Sequence, residues 1–106
     1  MKKKWLLLSL IGFLVSCSKQ ESMDALTARV FTVAEQQYLT MDTRLESTTL
    51  PQSIAPDSTF KSSTIYWWCS GFYPGSLWYI YEYTQNEAVK TLAEKNTLKL
   101  DPIQYV

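Results

Sequence analysis

The residues with the most distinctive chemistry lie between positions 66 and 79, which read YWWCSGFYPGSLWY. Half of these positions are aromatic, whereas the chain contains no histidine. The lack of histidine excludes Ser-His and Cys-His nucleophiles and imidazole metal sites, so we expect neither a metal nor a cofactor. Flat rings can instead stack on the C–H face of a sugar or fill a core. Composition leaves both interpretations open for five rings, those of Trp67, Trp68, Phe72, Tyr73 and Trp78.

Carboxylates are the other groups that could do chemistry, and they are scattered along the chain. No spacing brings two of them together as a pair for glycoside hydrolysis. Glu82 lies among Tyr79, Tyr81 and Tyr83, where partial burial would raise its pKa, but a carboxylate on a helix surface is the favoured interpretation. No phosphate-binding loop or dinucleotide fingerprint is present. The residues therefore predict no catalytic group within the chain.

The N-terminus has the pattern of a secretory signal. Three lysines, Lys2 to Lys4, precede an apolar run at 5–15 that is too short to span a bilayer as a stable helix. The run ends in Leu-Val-Ser-Cys, the form of a bacterial lipobox, which predicts a signal peptide at 1–16 and a lipid on Cys17. We therefore expect a protein anchored in the bacterial cell envelope, at the outer membrane or the periplasmic face. The alternative is a soluble secreted protein in which Cys17 is incidental.

The remaining chain predicts one small domain built from helices. Residues 17–22 form a polar tether, and a helix of about twenty residues follows from Met23 with Ser22 as its N-cap. Residues 47–63 contain Pro51 and Pro56 and predict a long loop. The apolar stripe of the first helix comprises Met23, Leu26, Val30, Val33, Ala34, Met41 and Leu45, with Tyr38 between them.

Two further helices are predicted after the aromatic stretch, and no convincing strand. Gly71 to Gly75 reads as a turn feeding a helix at 76–84, and Asn86 caps a third helix that Asp101-Pro102 stops. Their apolar faces comprise Leu77, Ile80, Tyr81 and Thr84 in the second helix, and Val89, Leu92, Ala93, Asn96 and Leu100 in the third. Formal net charge is zero, so nothing in the composition favours nucleic acid as a partner.

The segment WWCSGFYPGSLWYIYEYT resembles the N-terminal signature of the unsaturated glucuronyl hydrolases, glycoside hydrolase family 88. That signature has the form W-T-S/N-G-F-x-P/S-G-x-L-W-x-x-Y-E-x-T. The matching residues run from Trp68 to Thr84, with Cys69 where threonine is common in the family. The resemblance extends over roughly 23–106, with most of its weight at 67–84.

The resemblance implies an all-α fold, in which 23–106 would be the first hairpin and a half of an incomplete (α/α)6 barrel. It implies removal of 4,5-unsaturated uronic acid from oligosaccharides made by polysaccharide lyases, with protonation of C4 and addition of water at C5. Trp68 matches the tryptophan that lines the family's substrate pocket, and Phe72 lies beside it. The implied partners are therefore an unsaturated oligosaccharide and, through Cys17, a membrane.

The resemblance also implies that the catalytic aspartate lies outside this sequence. In the family it belongs to a His-Asp-x-Gly-Phe segment that comes just after a stretch like LKLDPIQYV, and Asp101 does not match it. We therefore expect the 106-residue chain to be an inactive N-terminal fragment. Two alternatives stay open: a small lipid-anchored carbohydrate-binding module with a platform of Trp67, Trp68 and Tyr73, or a truncated product without function.

Overall fold

The computed structural model describes residues 20–105. The predicted signal peptide at 1–16 and the predicted lipidation site at Cys17 lie outside the described residues. The elements are helix α1 (Met23–Asp42), strands β1 (Thr49–Ile54) and β2 (Phe60–Thr64), helices α2 (Phe72–Thr84) and α3 (Glu87–Leu98), and a 3-10 turn at Asp101–Ile103. Among these, no helix is both long and apolar enough to span a bilayer.

Helix α1 begins as predicted, but its apolar stripe was partly wrong. The Ser22 side chain caps the helix by accepting a hydrogen bond from the Ala25 amide at 3.2 Å. Met23, Val30 and Val33 are exposed. Ala34, Tyr38 and Met41 pack against the core cluster as predicted, and Phe31 and Leu39 join them. In the N-terminal part of α1, the side of the helix that packs on α2 and α3 therefore differs from the side that the apolar residues of the sequence predicted.

The long loop predicted at 47–63 was wrong, because this segment forms an antiparallel hairpin. Strand β1 pairs with β2 from Thr49 opposite Thr64 to Ile54 opposite Phe60, with a bulge between Pro51 and Ser53. A proline lacks the amide hydrogen of a strand residue, so it is tolerated on an edge strand or at a bulge. Pro51 meets both conditions in this two-stranded sheet.

The hairpin is closed by side-chain chemistry at its turn. Ser58 adopts the left-handed conformation with φ 66°. Asp57 Oδ1 accepts a hydrogen bond from the Thr59 amide at 3.0 Å. This Asx arrangement offsets part of the cost of placing a non-glycine residue at positive φ.

Helices α2 and α3 pack against each other and supply most of the buried core. Helix α2 begins at Phe72, four positions before the predicted start at 76, because Pro74 falls in the first turn, where the missing amide hydrogen costs nothing. Asn86 caps α3 as predicted, accepting from the Ala88 amide at 2.9 Å. The predicted faces of both helices are confirmed, because Leu77, Ile80, Val89 and Ala93 belong to the buried core, which Leu50 and Tyr73 complete.

Candidate functional site

The aromatic stretch begins in a compact turn, which we call the aromatic turn (residues 65–71), between β2 and α2. The Trp67 amide donates to the Thr64 carbonyl at 3.2 Å, the Ser70 amide to the Trp67 carbonyl at 2.9 Å, and the Phe72 amide to the Cys69 carbonyl at 3.1 Å. These successive bonds coil the backbone, so residues 66–68 are not extended. The turn is therefore held at both ends by regular structure.

Trp68 and Phe72, the two residues predicted to bind substrate, lie together on the surface. Trp68 is 80% exposed and Phe72 is 67% exposed. Their rings meet edge to face, with centroids 6.1 Å apart and planes at 86°. We call this pair the aromatic surface. Its rings are available to a flat ligand, because the core packing of α2 falls on Tyr73 and Leu77 instead.

The two described glycines leave open space beside the aromatic surface. Nothing lies within 4 Å of the position that a Cβ would occupy at Gly71 or at Gly75. Gly71 has φ −73°, an ordinary helical value, so the backbone does not require glycine there. Gly71 is the last residue of the aromatic turn and the N-cap of α2, whereas Gly75 lies inside α2, so the turn predicted at 71–75 is helical from Phe72 onward. What glycine provides is access to the backbone from outside.

Tyr73 and Trp78 do not share this exposure. The Tyr73 ring is buried and stacks on Tyr38, with centroids 5.5 Å apart. Trp78 Nε1 donates to Thr97 Oγ1 at 2.9 Å, which ties α2 to α3. The predicted platform of Trp67, Trp68 and Tyr73 was therefore wrong in its third member, because a stacked core ring offers no free face.

A buried polar cluster lies below Tyr73, where α1, α2 and α3 meet. Asp42 is buried, and its Oδ2 accepts from Lys95 Nζ at 2.9 Å. Its Oδ1 accepts from Asn96 Nδ2 at 2.9 Å. The Tyr73 hydroxyl lies 3.5 Å from the same oxygen, a distance too long for a strong bond. The cluster therefore links α1 to α3 through two charge-assisted hydrogen bonds.

The electrostatics of the cluster keep Asp42 ionised. Burial pushes the pKa of Asp42 upward, but the hydrogen bonds from Lys95 and Asn96 outweigh it and hold the pKa below the ordinary value of 3.8. Burial, followed by the nearby charge of Asp42, raises the pKa of the Tyr73 hydroxyl, which therefore stays protonated. A carboxylate that is ionised at neutral pH, with both oxygens bonded, is poorly suited to deliver a proton.

The sequence did not predict Asp42 as a buried residue, since its carboxylates were assigned mostly to solvated helix faces. A signal was present, because Asp42 lies four positions after Tyr38 and so continues the packing face of α1. Glu82 is exposed on α2, as the favoured interpretation held. Within residues 20–105, no group of three or more potential metal-ligating side chains is found.

No family model matches the chain. Over 31 residues it is 52% identical to the unsaturated chondroitin disaccharide hydrolase of Streptococcus pneumoniae, an alignment that covers 29% of this chain and 8% of that protein. A solved unsaturated glucuronyl hydrolase specific for heparin matches with a TM-score of 0.59 and 37% sequence identity. That match covers 65% of this chain and 19% of the solved chain.

The solved relative is an (α/α)6 barrel enzyme, so the described helices are similar to part of such a barrel and the predicted fold class is confirmed. The two-stranded hairpin is an addition that the all-α prediction lacked. The resemblance to unsaturated glucuronyl hydrolases is confirmed as well, since both relatives bear that activity or its chondroitin form in their names. The chain spans less than a fifth of the length of either relative.

Proposed function

We propose that this chain is part of an enzyme that removes 4,5-unsaturated uronic acid from oligosaccharides released by polysaccharide lyases, and that its aromatic surface contacts the sugar. The observation that carries the proposal is the exposure of Trp68 beside Phe72, within the segment that resembles the family signature. Exposed rings that lie in contact with each other offer a contiguous apolar surface to a ligand or partner. A sugar ring fits because its C–H face is flat and apolar while its rim is polar.

The proposed reaction needs a carboxylic acid that holds a proton until the alkene carbon accepts it. Asp42 is the one buried carboxylate among residues 20–105, and it is ionised and bonded to Lys95 and Asn96. We therefore assign Asp42 a structural role and place the proton donor outside these residues. The expected behaviour of the 106-residue chain is sugar binding without hydrolysis.

Binding to the aromatic surface is tested with an unsaturated chondroitin disaccharide, followed by tryptophan fluorescence and by calorimetry. Stacking that buries on the order of 60 Å² of ring face, at about 25 cal/mol per Å², contributes about 1.5 kcal/mol. Trp68→Ala should therefore weaken binding by about tenfold. Tyr79→Ala is the matched control, because Tyr79 is 72% exposed on α2 without being part of the aromatic surface. Equal affinities for parent and Trp68→Ala would refute the proposed contact.

The carbohydrate-binding alternative is retained with a smaller platform, because Trp67 is 42% exposed next to Trp68. The two functions differ in their ligand. A binding module should accept the saturated disaccharide as readily as the unsaturated one, whereas a site for the proposed hydrolase should discriminate between them. The same titration with both disaccharides separates the two functions.

We further propose that the protein is held in the bacterial cell envelope by a lipid on Cys17. The support is the order of three features in the sequence: Lys2 to Lys4, the apolar run at 5–15, and Leu-Val-Ser-Cys. Cys17→Ser should abolish incorporation of a palmitate analogue and move the protein out of the membrane fraction. Cys69→Ser is the control, and it should stay labelled and membrane-bound. Labelling of Cys17→Ser would contradict the assignment.

A further inference from the structure

A groove of about 400 Å³ lies next to the aromatic turn, between the base of the hairpin and the end of α3. Its lining is largely apolar, with Ile65, Leu98 and Pro102, and its polar members are Ser47, Thr48, Thr64, Tyr66 and Lys99. The volume falls in the range of about 300–1,000 Å³ that small-molecule sites occupy. Tyr66 belongs both to the groove and to the aromatic turn, so the groove borders the turn that carries Trp68.

Lys99 gives the groove its electrostatic character. The side chain is half-buried, and its ammonium donates to the Thr49 carbonyl at 3.0 Å and, more weakly, to the Glu46 carbonyl at 3.4 Å. An ammonium has three donors, so one is left for a ligand. None of the ion pairs formed within residues 20–105 includes Lys99. A half-buried cation without an anionic partner carries a desolvation cost that a bound anion would offset.

The neighbouring charges also leave the positive charge of Lys99 only partly compensated. Burial lowers the pKa of Lys99, repulsion from Lys95 lowers it further, and attraction to Asp42 only partly opposes them. Asp42 attracts Lys99 but forms its ion pair with Lys95 and accepts its other hydrogen bond from Asn96. The larger groove of about 630 Å³, between α1 and the hairpin, contains Arg44. Arg44 is exposed to solvent, so water hydrates its charge and the desolvation cost argued for Lys99 does not apply to it.

We propose that the groove at Lys99 binds an anionic substituent, a carboxylate or a sulfate, of the sugar whose ring lies on the aromatic surface. That the ligand is a sugar rests on the proposed function. That the groove binds an anion rests on the surroundings of Lys99 alone. Lys99 supplies the charge, and the hydroxyl groups around it supply hydrogen-bond partners for the remaining oxygens. Under this proposal, Lys99 makes the site prefer sugars that carry a negative charge. Trp68 and Phe72 alone would bind charged and uncharged sugar rings alike.

The first experiment needs no substitution and tests the groove alone. In the 106-residue chain with ¹³C-labelled lysine, the titration of each lysine side chain is followed by NMR in sodium sulfate and in sodium chloride of equal ionic strength. Sulfate should raise the pKa of Lys99 more than that of Lys61, an exposed lysine of β2 outside the groove. Equal responses of Lys99 and Lys61 would overturn the anion site.

The second experiment tests the link to the sugar. Lys99→Met should weaken binding of a sulfated unsaturated disaccharide by about tenfold, the loss expected for one charge-assisted hydrogen bond at a half-exposed site. Lys61→Met should leave the affinity within about twofold of the parent. If Lys99 responds to sulfate but Lys99→Met binds the disaccharide like the parent, the link to substrate is wrong. If Trp68→Ala has no effect while sulfate still shifts Lys99, the proposed function fails and the anion site stands.

Discussion

The buried cluster around Asp42 allows a stability prediction whose size and pH dependence both follow from the structure. The substitution Asp42→Asn keeps the shape of the side chain and removes its charge. Asn96 then donates to a neutral amide oxygen instead of a carboxylate, and Lys95 loses its ion-pair partner at 2.9 Å. Because Asp42 joins the end of α1 to α3, the loss weakens the contact between the two helices.

The magnitude comes from these two contacts. A hydrogen bond to a charged group contributes about 1.5–3 kcal/mol and a neutral one about 0.5–1.5, so the Asn96 bond loses about 1 kcal/mol. The Lys95 side chain is 49% exposed, so its ion pair is screened and contributes about 1 kcal/mol at most. The Tyr73 hydroxyl, at 3.5 Å, adds nothing to the sum. We expect Asp42→Asn to lower the free energy of unfolding by about 2 kcal/mol at pH 7.

The stability difference between the parent and Asp42→Asn should depend on pH. The pKa of Asp42 is held below 3.8 in the folded state, so the carboxylate stabilises the fold above that pH and the contribution is lost as pH falls through the folded pKa. The difference between parent and Asp42→Asn should therefore be constant from about pH 7 to pH 5 and shrink below about pH 4. Urea unfolding followed by circular dichroism at each pH measures the difference.

Glu94→Gln serves as the control, because Glu94 is an exposed carboxylate on α3, next to Lys95 in sequence. Its effect should stay within about 0.5 kcal/mol at every pH. The reasoning fails if Asp42→Asn is as stable as the parent at pH 7. It also fails if the difference persists unchanged at the lowest pH at which both proteins remain folded.

Three further substitutions test the packing of the helices by urea unfolding. Leu77→Ala removes a fully buried side chain between α2 and α3, and should cost about 2–5 kcal/mol; a cost below about 1 kcal/mol would contradict the core assignment. Asn86→Ala removes the α3 cap and the 2.8 Å bond to Glu35 Oε1, and should cost about 1–2 kcal/mol with faster amide exchange in the first turn of α3. Tyr73→Phe should cost less than about 1 kcal/mol, because both hydroxyl contacts are 3.5 Å long; a larger loss would show that the hydroxyl matters more than these distances indicate.

The helices could be predicted from the sequence because local signals agreed with the tertiary packing. Ser22 and Asn86 are capping residues whose side chains bond to their own helix termini, so the boundaries depend on nearby residues alone. The apolar faces of α2 and α3 follow the helical repeat from Leu77 to Ala93. In the first half of α1 the helical repeat of apolar residues predicted the wrong face, because Val30 and Val33 are exposed.

The hairpin and the buried cluster could not be predicted because each depends on a distant partner. Pro51 disfavours a central strand, and only its pairing with the segment at 60–64 shows that it occupies an edge. Asp42 was not predicted as a buried residue, because the sequence gives no indication that Lys95 and Asn96, on another helix, reach its two oxygens. For the candidate site, sequence motifs indicated the rings of Trp68 and Phe72. The groove at Lys99 required three separate segments to meet.

The bulge at Pro51 has a consequence for behaviour at high concentration. A two-stranded sheet has two open borders, and either could recruit an extended segment from another molecule. On β1, Pro51 lacks an amide hydrogen and the register breaks before Ser53. A strand from another molecule could therefore not form a continuous row of backbone hydrogen bonds with β1. On β2, the charge of Lys61 discourages the same approach. The hairpin can therefore remain exposed without acting as a template for fibril growth.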